Sequence, residues 1–219
     1  KDYNFDFTNL KAKQGAYIIK QIPDQRIIEI ETSRGCPRLK GCSFCLEPIK
    51  HQGIKSRKPD FIVNEIKAFY DLGCRYFRLG KQSCFYSYPN IKELLTEIWK
   101  KCPKIKVLHI DNVNPSMVTK EKTELIARYC TPGNIAAFGV ESFDKKVIEE
   151  NNLNTTPEIV YKAVKIINQA GKERGNNGMQ KFLPGINILL GLKGETKKTH
   201  EENMYWLKKI LKDNLLLRR

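Results

Sequence analysis

The chain alternates short apolar segments with longer amphipathic ones, and this alternation restricts its fold more than any other feature. The short segments are typical of buried strands, and they cover residues 27–31, 76–79, 105–110, 135–140 and 185–190. Helices are predicted after them at 60–72, 90–99, 120–129, 156–171 and 196–211. Strands that alternate with helices pair in parallel. The sequence therefore predicts an α/β fold in which parallel strands with outer helices form a partial barrel.

The predicted elements form one core with a short extension before it. Residues 1–25 are expected to be an N-terminal extension, and residues 26–219 to be the core. A length of 219 residues suits a single domain with a sizeable interior. The chain stops where a sixth strand is expected, so we expect that strand and any C-terminal domain to be missing from it.

Three of the seven cysteines, Cys36, Cys42 and Cys45, lie within ten residues directly after the first predicted strand. Three thiolates can hold an iron-sulfur cluster and leave one iron without a protein ligand, which makes that iron a site for chemistry. Catalytic groups of βα barrels gather on the loops at the C-terminal ends of the strands. The three cysteines are therefore predicted to be both metal ligands and catalytic residues.

A zinc site is the alternative interpretation of the same cysteines. Together with His51 they would supply the Cys3His set that zinc accepts. The chain would then be a non-catalytic module in which zinc, or an inert cluster, supports a basic surface that binds nucleic acid.

Composition limits the partners and the compartment. The chain carries 39 lysines and arginines against 24 acidic residues, a net charge of +15, which favours contact with polyphosphate. The charges are spread along the chain, as is also usual for a solvated lysine-rich surface. No apolar run is long enough to span a membrane, and no signal peptide is recognised. Seven cysteines without a paired framework suggest a reducing cytoplasm.

The cysteine loop resembles the cluster loop of the radical S-adenosylmethionine (radical SAM) superfamily, in which an aromatic residue, here Phe44, precedes the last cysteine. The usual spacing is Cys-x3-Cys-x2-Cys, whereas this chain has Cys-x5-Cys-x2-Cys. Two extra residues are tolerable because lengthening a loop costs little closure entropy. The interval from Pro37 to Gly41 also resembles that of a group of archaeal members of the superfamily.

This resemblance implies a (β/α)6-type radical SAM barrel that is incomplete here. It also implies two cofactors, a 4Fe-4S cluster on the three cysteines and S-adenosyl-L-methionine on the open iron. An electron from an external reductant would cleave the latter to a 5′-deoxyadenosyl radical, which abstracts hydrogen from a substrate. The expected substrate is RNA, with transfer RNA modified by a methylthiotransferase-like reaction as the leading class of transferase chemistry. A peptide or a small metabolite is the alternative substrate.

Further site residues follow from the same resemblance. Gly80, after the second strand, stands where relatives accept the methionine amino group. Gly139-Val-Glu141-Ser142 resembles the Gly-Val-Gln-Ser of the branch that contains coproporphyrinogen dehydrogenases and methylthiotransferases, so Glu141 and Ser142 are expected to contact the cofactor, with the Glu141 carboxylate on the ribose. Leu153 replaces the arginine that usually pairs with the methionine carboxylate. That contact is expected from Asn152 or Asn154, or from a cation elsewhere.

The fifth strand and the turn after it carry the second motif that resembles the superfamily. The run Gly191-Leu-Lys-Gly194-Glu-Thr196 resembles the turn that follows the ribose and adenine strand of this branch. The resemblance implies that Asn187, Gly191 and Leu192 contact the nucleoside, with Phe44 as an apolar wall near the adenine.

Some polar residues on the same rim allow two interpretations. His109, Asp111, Asn112 and Asn114 are either substrate contacts or satisfied interior residues. Cys84 is either a small buried thiol or a group that touches substrate, and Arg57 is either an anion contact or a loop cation.

Overall fold

The computed structural model describes residues 5–22, 27–51 and 53–218. Its helices are α1 (Asp6–Gly15), α2 (Glu47–Lys50), α3 (Pro59–Asp71), α4 (Ile91–Lys101), α5 (Lys120–Tyr129), α6 (Lys145–Glu150), α7 (Pro157–Gly171) and α8 (Lys197–Lys212). Its strands are β1 (Ile28–Glu31), β2 (Ser33–Arg34), β3 (Lys55–Ser56), β4 (Tyr76–Gly80), β5 (Val107–Ile110), β6 (Asn134–Glu141) and β7 (Phe182–Ile188).

Five of these strands run parallel in chain order. β1, β4 and β5 form one hydrogen-bonded group and β6 with β7 another. A bridge just past β5 joins the groups, since the Val113 N–H donates to the Ala137 carbonyl at 3.0 Å. The α/β fold with parallel strands is confirmed. Within the described residues the sheet stays open and no closed barrel forms.

The apolar faces of the strands and helices pack into one main core. Alternate strand residues such as Ile30, Leu79 and Phe138 are fully buried, as the two-residue period of a strand requires. In α4, Leu94 and Ile98 lie one turn apart and are both fully buried. This packing sets the direction of each strand and therefore the position of the loop that follows its C-terminal end.

The chain after α8 runs back along β7. The Arg218 N–H donates to the Pro184 carbonyl at 2.8 Å, and the Leu216 N–H to Asn168 Oδ1 at 2.7 Å. This is the side of β7 on which a sixth strand is expected. The boundary predicted near residue 25 lies outside the described residues, so the division into an extension and a core stays a prediction. No described helix has the length and hydrophobicity needed to cross a bilayer.

Two local predictions were wrong in their details. β7 spans Phe182–Ile188 rather than 185–190, because Phe182 and Leu183 pair with β6 while Leu190 is exposed before a turn. Asn90 precedes α4 as predicted, but its side chain makes no capping hydrogen bond. In contrast, the Thr156 hydroxyl accepts the Ile159 N–H at the start of α7, as expected.

Candidate functional site

A cavity of about 620 Å³ opens at the C-terminal ends of the parallel strands. Its walls come from the cysteine loop after β1, the loops after β4 and β5, and the end of β6. A cavity of this size is typical of sites for small ligands. The lining includes Cys36, Cys42, Phe44, Cys45, His51, Lys81, Gln82, Cys84, Asn112, Asn114, Gly139, Glu141 and Asn154.

The structure brings the three cysteines together on one wall of this cavity. Cys36, Cys42 and Cys45 are free thiols, and each is partly exposed. The Arg38 N–H donates to Cys36 Sγ and its guanidinium to Cys42 Sγ, both at 3.4 Å. Burial raises the pKa of the Cys42 thiol, Arg38 opposes the rise, and the two neighbouring cysteines add to it. All three thiols therefore border the same cavity, and thiolates are the ligands that iron-sulfur clusters use.

Local sterics explain why the cysteine loop takes this path. The antiparallel pair β2–β3 closes the base of the loop, where the Ser33 and Ser56 hydroxyls lie 2.9 Å apart. Gly35 has a φ of +84°, and a Cβ atom there would lie 2.0 Å from the Gly53 carbonyl oxygen. Only glycine allows both the backbone conformation and the close approach.

His51 also lines the cavity, as the zinc alternative requires. Within residues 5–22, 27–51 and 53–218, however, no group of three or more His, Cys, Asp or Glu side chains is arranged to hold one metal ion. A zinc ion needs its ligands within about 2.0–2.3 Å of a single centre. A 4Fe-4S cluster distributes three cysteines over three separate irons.

Glu141 enters the cavity from the end of β6. A register shift between Gly139 and Glu141 interrupts the pairing with β7, and Glu141 has a φ of +65°. A bulge at a strand end re-aims a side chain. The Glu141 carboxylate is half-buried, and burial raises its pKa above the ordinary 4.5.

Phe44 lines the cavity between Cys42 and Cys45 and is 46% exposed. Asn152 and Asn154, the two expected partners of the methionine carboxylate, differ in position. The Asn152 amide donates to the carbonyls of Lys40 and Gly41 and is occupied by the cysteine loop. Asn154 lines the cavity, and its buried Oδ1 has no hydrogen-bond partner.

The described cavity lining does not include Gly80 or Ser142. Gly80 is buried at the end of β4, and a Cβ atom there would lie 2.3 Å from Glu29 Oε1. The next N–H, from Lys81, donates to the same carboxylate at 3.1 Å. Ser142 is 2% exposed, and its hydroxyl accepts the Asp144 N–H. Their contacts with a cofactor stay predictions.

Asn187, Gly191 and Leu192 also lie outside the described lining. Asn187 is exposed on β7, and Gly191 has a φ of +83° in a turn that Glu195 closes by accepting the Gly191 and Leu192 N–H groups. Leu192 belongs to a small apolar cluster against which Cys42 packs. The turn is therefore adjacent to the cysteine loop, while its nucleoside contacts stay predictions.

Arg57, His109 and Asp111 lie outside the described cavity lining. Arg57 is buried and forms a 2.6 Å ion pair with Glu65, so it is a structural cation. His109 lies outside the cavity lining, burial lowers its pKa, and its Nε2 is buried without a partner. Asp111 is half-buried, and burial raises its pKa.

Asn112, Asn114 and Cys84, which also had two interpretations, line the cavity. The Asn112 amide donates to the Gln82 carbonyl at 3.1 Å, Asn114 Oδ1 accepts the Ser116 N–H, and Cys84 is 1% exposed. Gln82 was not assigned a role from the sequence. It is 4% exposed, its amide donates to the Leu79 carbonyl, and its Oε1 has no partner. Its position two residues beyond Gly80 was the available signal.

The comparison with protein families decides the class. A model of the Radical SAM superfamily matches residues 30–207. The chain belongs to the radical SAM superfamily. Membership supports the two predicted cofactors, a 4Fe-4S cluster and S-adenosylmethionine, and confirms the resemblance carried by the cysteine loop.

Relatives extend along most of this radical SAM chain. An uncharacterized protein of Methanocaldococcus jannaschii is 45% identical over 95% of the chain, which supports the archaeal resemblance. The tRNA methylthiotransferase of Bacillus subtilis that acts on threonylcarbamoyladenosine is 22% identical over 84% of the chain. The ribosomal protein uS12 methylthiotransferase of Clostridium novyi is 22% identical over 95%. The chain spans only 43%, 40% and 46% of these proteins, respectively.

Solved structures show the same fold. The radical SAM methyltransferase TsrM of Kitasatospora setae, bound to tryptophan and a SAM analogue, superimposes with a TM-score of 0.65 at 20% identity, covering 84% of this chain and 34% of that one. The Escherichia coli coproporphyrinogen III oxidase gives 0.60 at 15% identity, covering 89% and 44%.

Proposed function

We propose that this chain is the core of an enzyme that cleaves S-adenosylmethionine reductively at a 4Fe-4S cluster held by Cys36, Cys42 and Cys45. The observation that carries the proposal is the placement of these free thiols on one wall of the strand-end cavity. Three cysteines satisfy three irons and leave the fourth for the cofactor. The reducing cytoplasm expected from the cysteine usage belongs to the same proposal.

When both are bound, the cluster and S-adenosylmethionine supply a 5′-deoxyadenosyl radical that abstracts a hydrogen atom, with the electron coming from an external reductant. The protein binds and orients the cofactor around the cluster. Phe44 would provide an apolar wall and Glu141 would accept a ribose hydroxyl. Gly80, Ser142, Asn187, Gly191 and Leu192 complete the proposed set.

Two of the residues that line the cavity carry a buried acceptor without a partner. Gln82 Oε1 and Asn154 Oδ1 are both buried and have no hydrogen-bond partner. An acceptor left unpaired in a buried site costs about 1–3 kcal/mol. A ligand that donates hydrogen bonds, such as the methionine amino group, would satisfy such an acceptor once the side chain turns toward the cavity. The Asn154 amide N–H group would be the part that faces the methionine carboxylate.

We propose RNA, and transfer RNA first, as the substrate of a methylthiotransferase-like reaction. The net charge of +15 favours a polyanion, and the cavity wall carries Arg34, Arg38, Lys50 and Lys81. The B. subtilis relative modifies tRNA by its name. Because the C. novyi relative is named for ribosomal protein uS12, a protein substrate is the second candidate.

Anaerobic reconstitution with iron and sulfide tests the core of the proposal. The chain should bind roughly four irons and, with dithionite and S-adenosylmethionine, release 5′-deoxyadenosine. Cys42→Ala should lose both properties, whereas Cys74→Ala, whose thiol lies outside the cavity lining, should keep them. A colourless protein that holds one zinc would instead identify the nucleic-acid-binding module.

The substrate is tested separately with total tRNA and with ribosomal protein uS12. The true substrate should increase the release of 5′-deoxyadenosine, as measured by mass spectrometry. If the cofactor is cleaved but neither polymer responds, both polymer candidates are wrong and a small metabolite replaces them.

A further inference from the structure

Two consecutive asparagines after α6 contact the cysteine loop, and neither contact is explained by cofactor binding. Asn151 is 2% exposed. Its backbone carbonyl accepts the Ser43 N–H at 2.9 Å, and its Oδ1 accepts the Ser43 hydroxyl at 2.9 Å. Ser43 lies between Cys42 and Cys45, so Asn151 fixes the centre of the second cysteine interval.

The same side chain reaches a second loop. Asn151 Nδ2 donates to the Val147 carbonyl within α6 and to the Lys193 carbonyl, both at 2.8 Å. Lys193 lies between Gly191 and Gly194, in the turn that joins β7 to α8. One buried amide therefore uses both of its N–H donors and its oxygen, and it links the cysteine loop to this turn.

Asn152 forms hydrogen bonds with the other cysteine interval, residues 37–41. Its Nδ2 donates to the Lys40 carbonyl at 2.9 Å and to the Gly41 carbonyl at 2.8 Å. Both carbonyls lie in the five residues between Cys36 and Cys42, the interval that is two residues longer than usual. Asn152 has a φ of +48°, a conformation that asparagine adopts more readily than most residues.

An apolar contact joins the same segments. Leu192 packs with Val147, Ile148 and Leu153, and Cys42 packs against this cluster. The polar links and the apolar cluster thus connect the cysteine loop and the Gly191–Gly194 turn through the end of α6.

We propose that Asn151 is a positioning residue that couples the cysteine loop to the Gly191–Gly194 turn, while Asn152 holds the longer cysteine interval in place, so that cluster assembly orders the turn. The coupling, by which cluster assembly orders the turn, rests on the proposed function, because that function places the cluster on the three cysteines. The link, which is the set of hydrogen bonds between the cysteine loop and the turn, is independent of the proposed function, because the protein forms these bonds without the cluster.

The variant Asn151→Asp isolates the link. It keeps an oxygen for the Ser43 hydroxyl but loses the N–H donors to Val147 and Lys193. Asn168→Asp is a matched control, since Asn168 is also 2% exposed and its Nδ2 donates to the Val164 and Leu216 carbonyls, away from the cavity lining. Asn152→Gly keeps the left-handed backbone and removes only the amide, so it tests the attachment of the longer cysteine interval. If the carboxylate that Asn151→Asp buries prevents folding, Asn151→Ala removes the same donors to Val147 and Lys193 without a charge and tests the link.

Hydrogen–deuterium exchange read by mass spectrometry is the measurement, on protein with and without the reconstituted cluster. In metal-free protein, Asn151→Asp should speed exchange in 189–195 by about fivefold relative to the wild type, and Asn152→Gly should do so in 37–43, while Asn168→Asp should change neither segment. On reconstitution, exchange in 189–195 should slow in the wild type and in Asn168→Asp but not in Asn151→Asp.

The outcomes separate the two proposals. If Asn151→Asp exchanges like the wild type without metal, the link is wrong, and if Asn152→Gly does so, the attachment of the longer cysteine interval is wrong. If both differ but reconstitution leaves 189–195 unchanged in the wild type, the coupling is wrong. If the wild type takes up no iron, the proposed function fails and the coupling with it, while the metal-free comparison still decides the link.

Discussion

The Glu141 carboxylate folds back over Gly139, where a Cβ atom would lie 2.8 Å from Glu141 Oε1. Glu141 itself has a φ of +65°, which is unfavourable for a residue with a side chain. Burial raises the pKa of the same carboxyl. A strained backbone and a partly desolvated charge thus coincide where β6 meets the cavity, a combination found at functional sites.

Glu141→Gln is therefore expected to stabilise the metal-free protein at neutral pH. Because the folded-state pKa lies above 4.5, the stability that this carboxyl contributes is present below pH 4.5 and is lost as the pH rises through the folded-state pKa. Glutamine keeps the shape without the charge, so Tm should rise at neutral pH. The rise should stay below the 2–4 °C that about 1 kcal/mol gives in a chain of this length, because solvent screens the half-exposed carboxylate. Thermal unfolding across pH should show the two curves converging below pH 4.5. A lower Tm for Glu141→Gln at neutral pH would refute this.

Gly35→Ala is expected to prevent cluster assembly. Its Cβ would meet the Gly53 carbonyl oxygen at 2.0 Å, so the base of the cysteine loop must open. Gly53→Ala is the control, because Gly53 also has a positive φ of +70° but nothing within 4 Å of its Cβ, and a left-handed φ alone costs about 1–2 kcal/mol. Iron bound per chain after reconstitution should fall strongly only in Gly35→Ala. Equal iron in the two variants would mean that the close approach does not shape the loop.

Glu65→Ala is expected to destabilise the fold by about 3–5 kcal/mol, because it leaves the buried Arg57 guanidinium unpaired. The pair is 2.6 Å long, and Arg57 Nη1 also donates to the Glu31 carbonyl at the end of β1. The exposed Lys67–Asp71 pair provides the comparison, since Asp71→Ala should cost about 0.3–0.5 kcal/mol. Urea unfolding gives the free energy of unfolding of both variants. Similar losses of this free energy in the two variants would show that burial of Arg57 does not strengthen its pairing.

Cys84 is expected to resist alkylation in the folded protein at neutral pH. Burial raises the pKa of its thiol above the ordinary 9.0, the Asn114 N–H reaches its Sγ at 3.2 Å, and the side chain is 1% exposed. Only the thiolate reacts. Mass spectrometry after iodoacetamide treatment should find Cys84 unmodified at neutral pH and modified after unfolding. Rapid labelling of the folded protein would show a reactive thiol in the cavity.

The fold was predictable from the sequence because its signals are local. The apolar spacing of α4 and the Thr156–Pro157 start of α7 identify helices without knowledge of the tertiary structure. The start of β7 was predicted three residues too late. Pro184, a residue type that argues against a strand interior, lies within β7, where its carbonyl accepts the Arg218 N–H.

The site was predictable only in part. The cysteine spacing and the glycine turns are contiguous motifs, so they could be recognised. Asn151 could not be recognised, because its role depends on partners that are distant in sequence. Gln82 had only its position after Gly80 as a signal, since the cavity that it lines is formed by several loops. Asn151 contacts Ser43, which lies 108 residues earlier in the chain, and no local pattern encodes that distance.

The open iron of the proposed cluster is tested most directly by electron paramagnetic resonance of the reduced, reconstituted cluster with and without S-adenosylmethionine. We expect the g values to change when the cofactor is added, because it binds an iron that Cys36, Cys42 and Cys45 leave without a protein ligand. Identical spectra at saturating cofactor would show that every iron is already ligated by the protein, and would contradict the proposed chemistry.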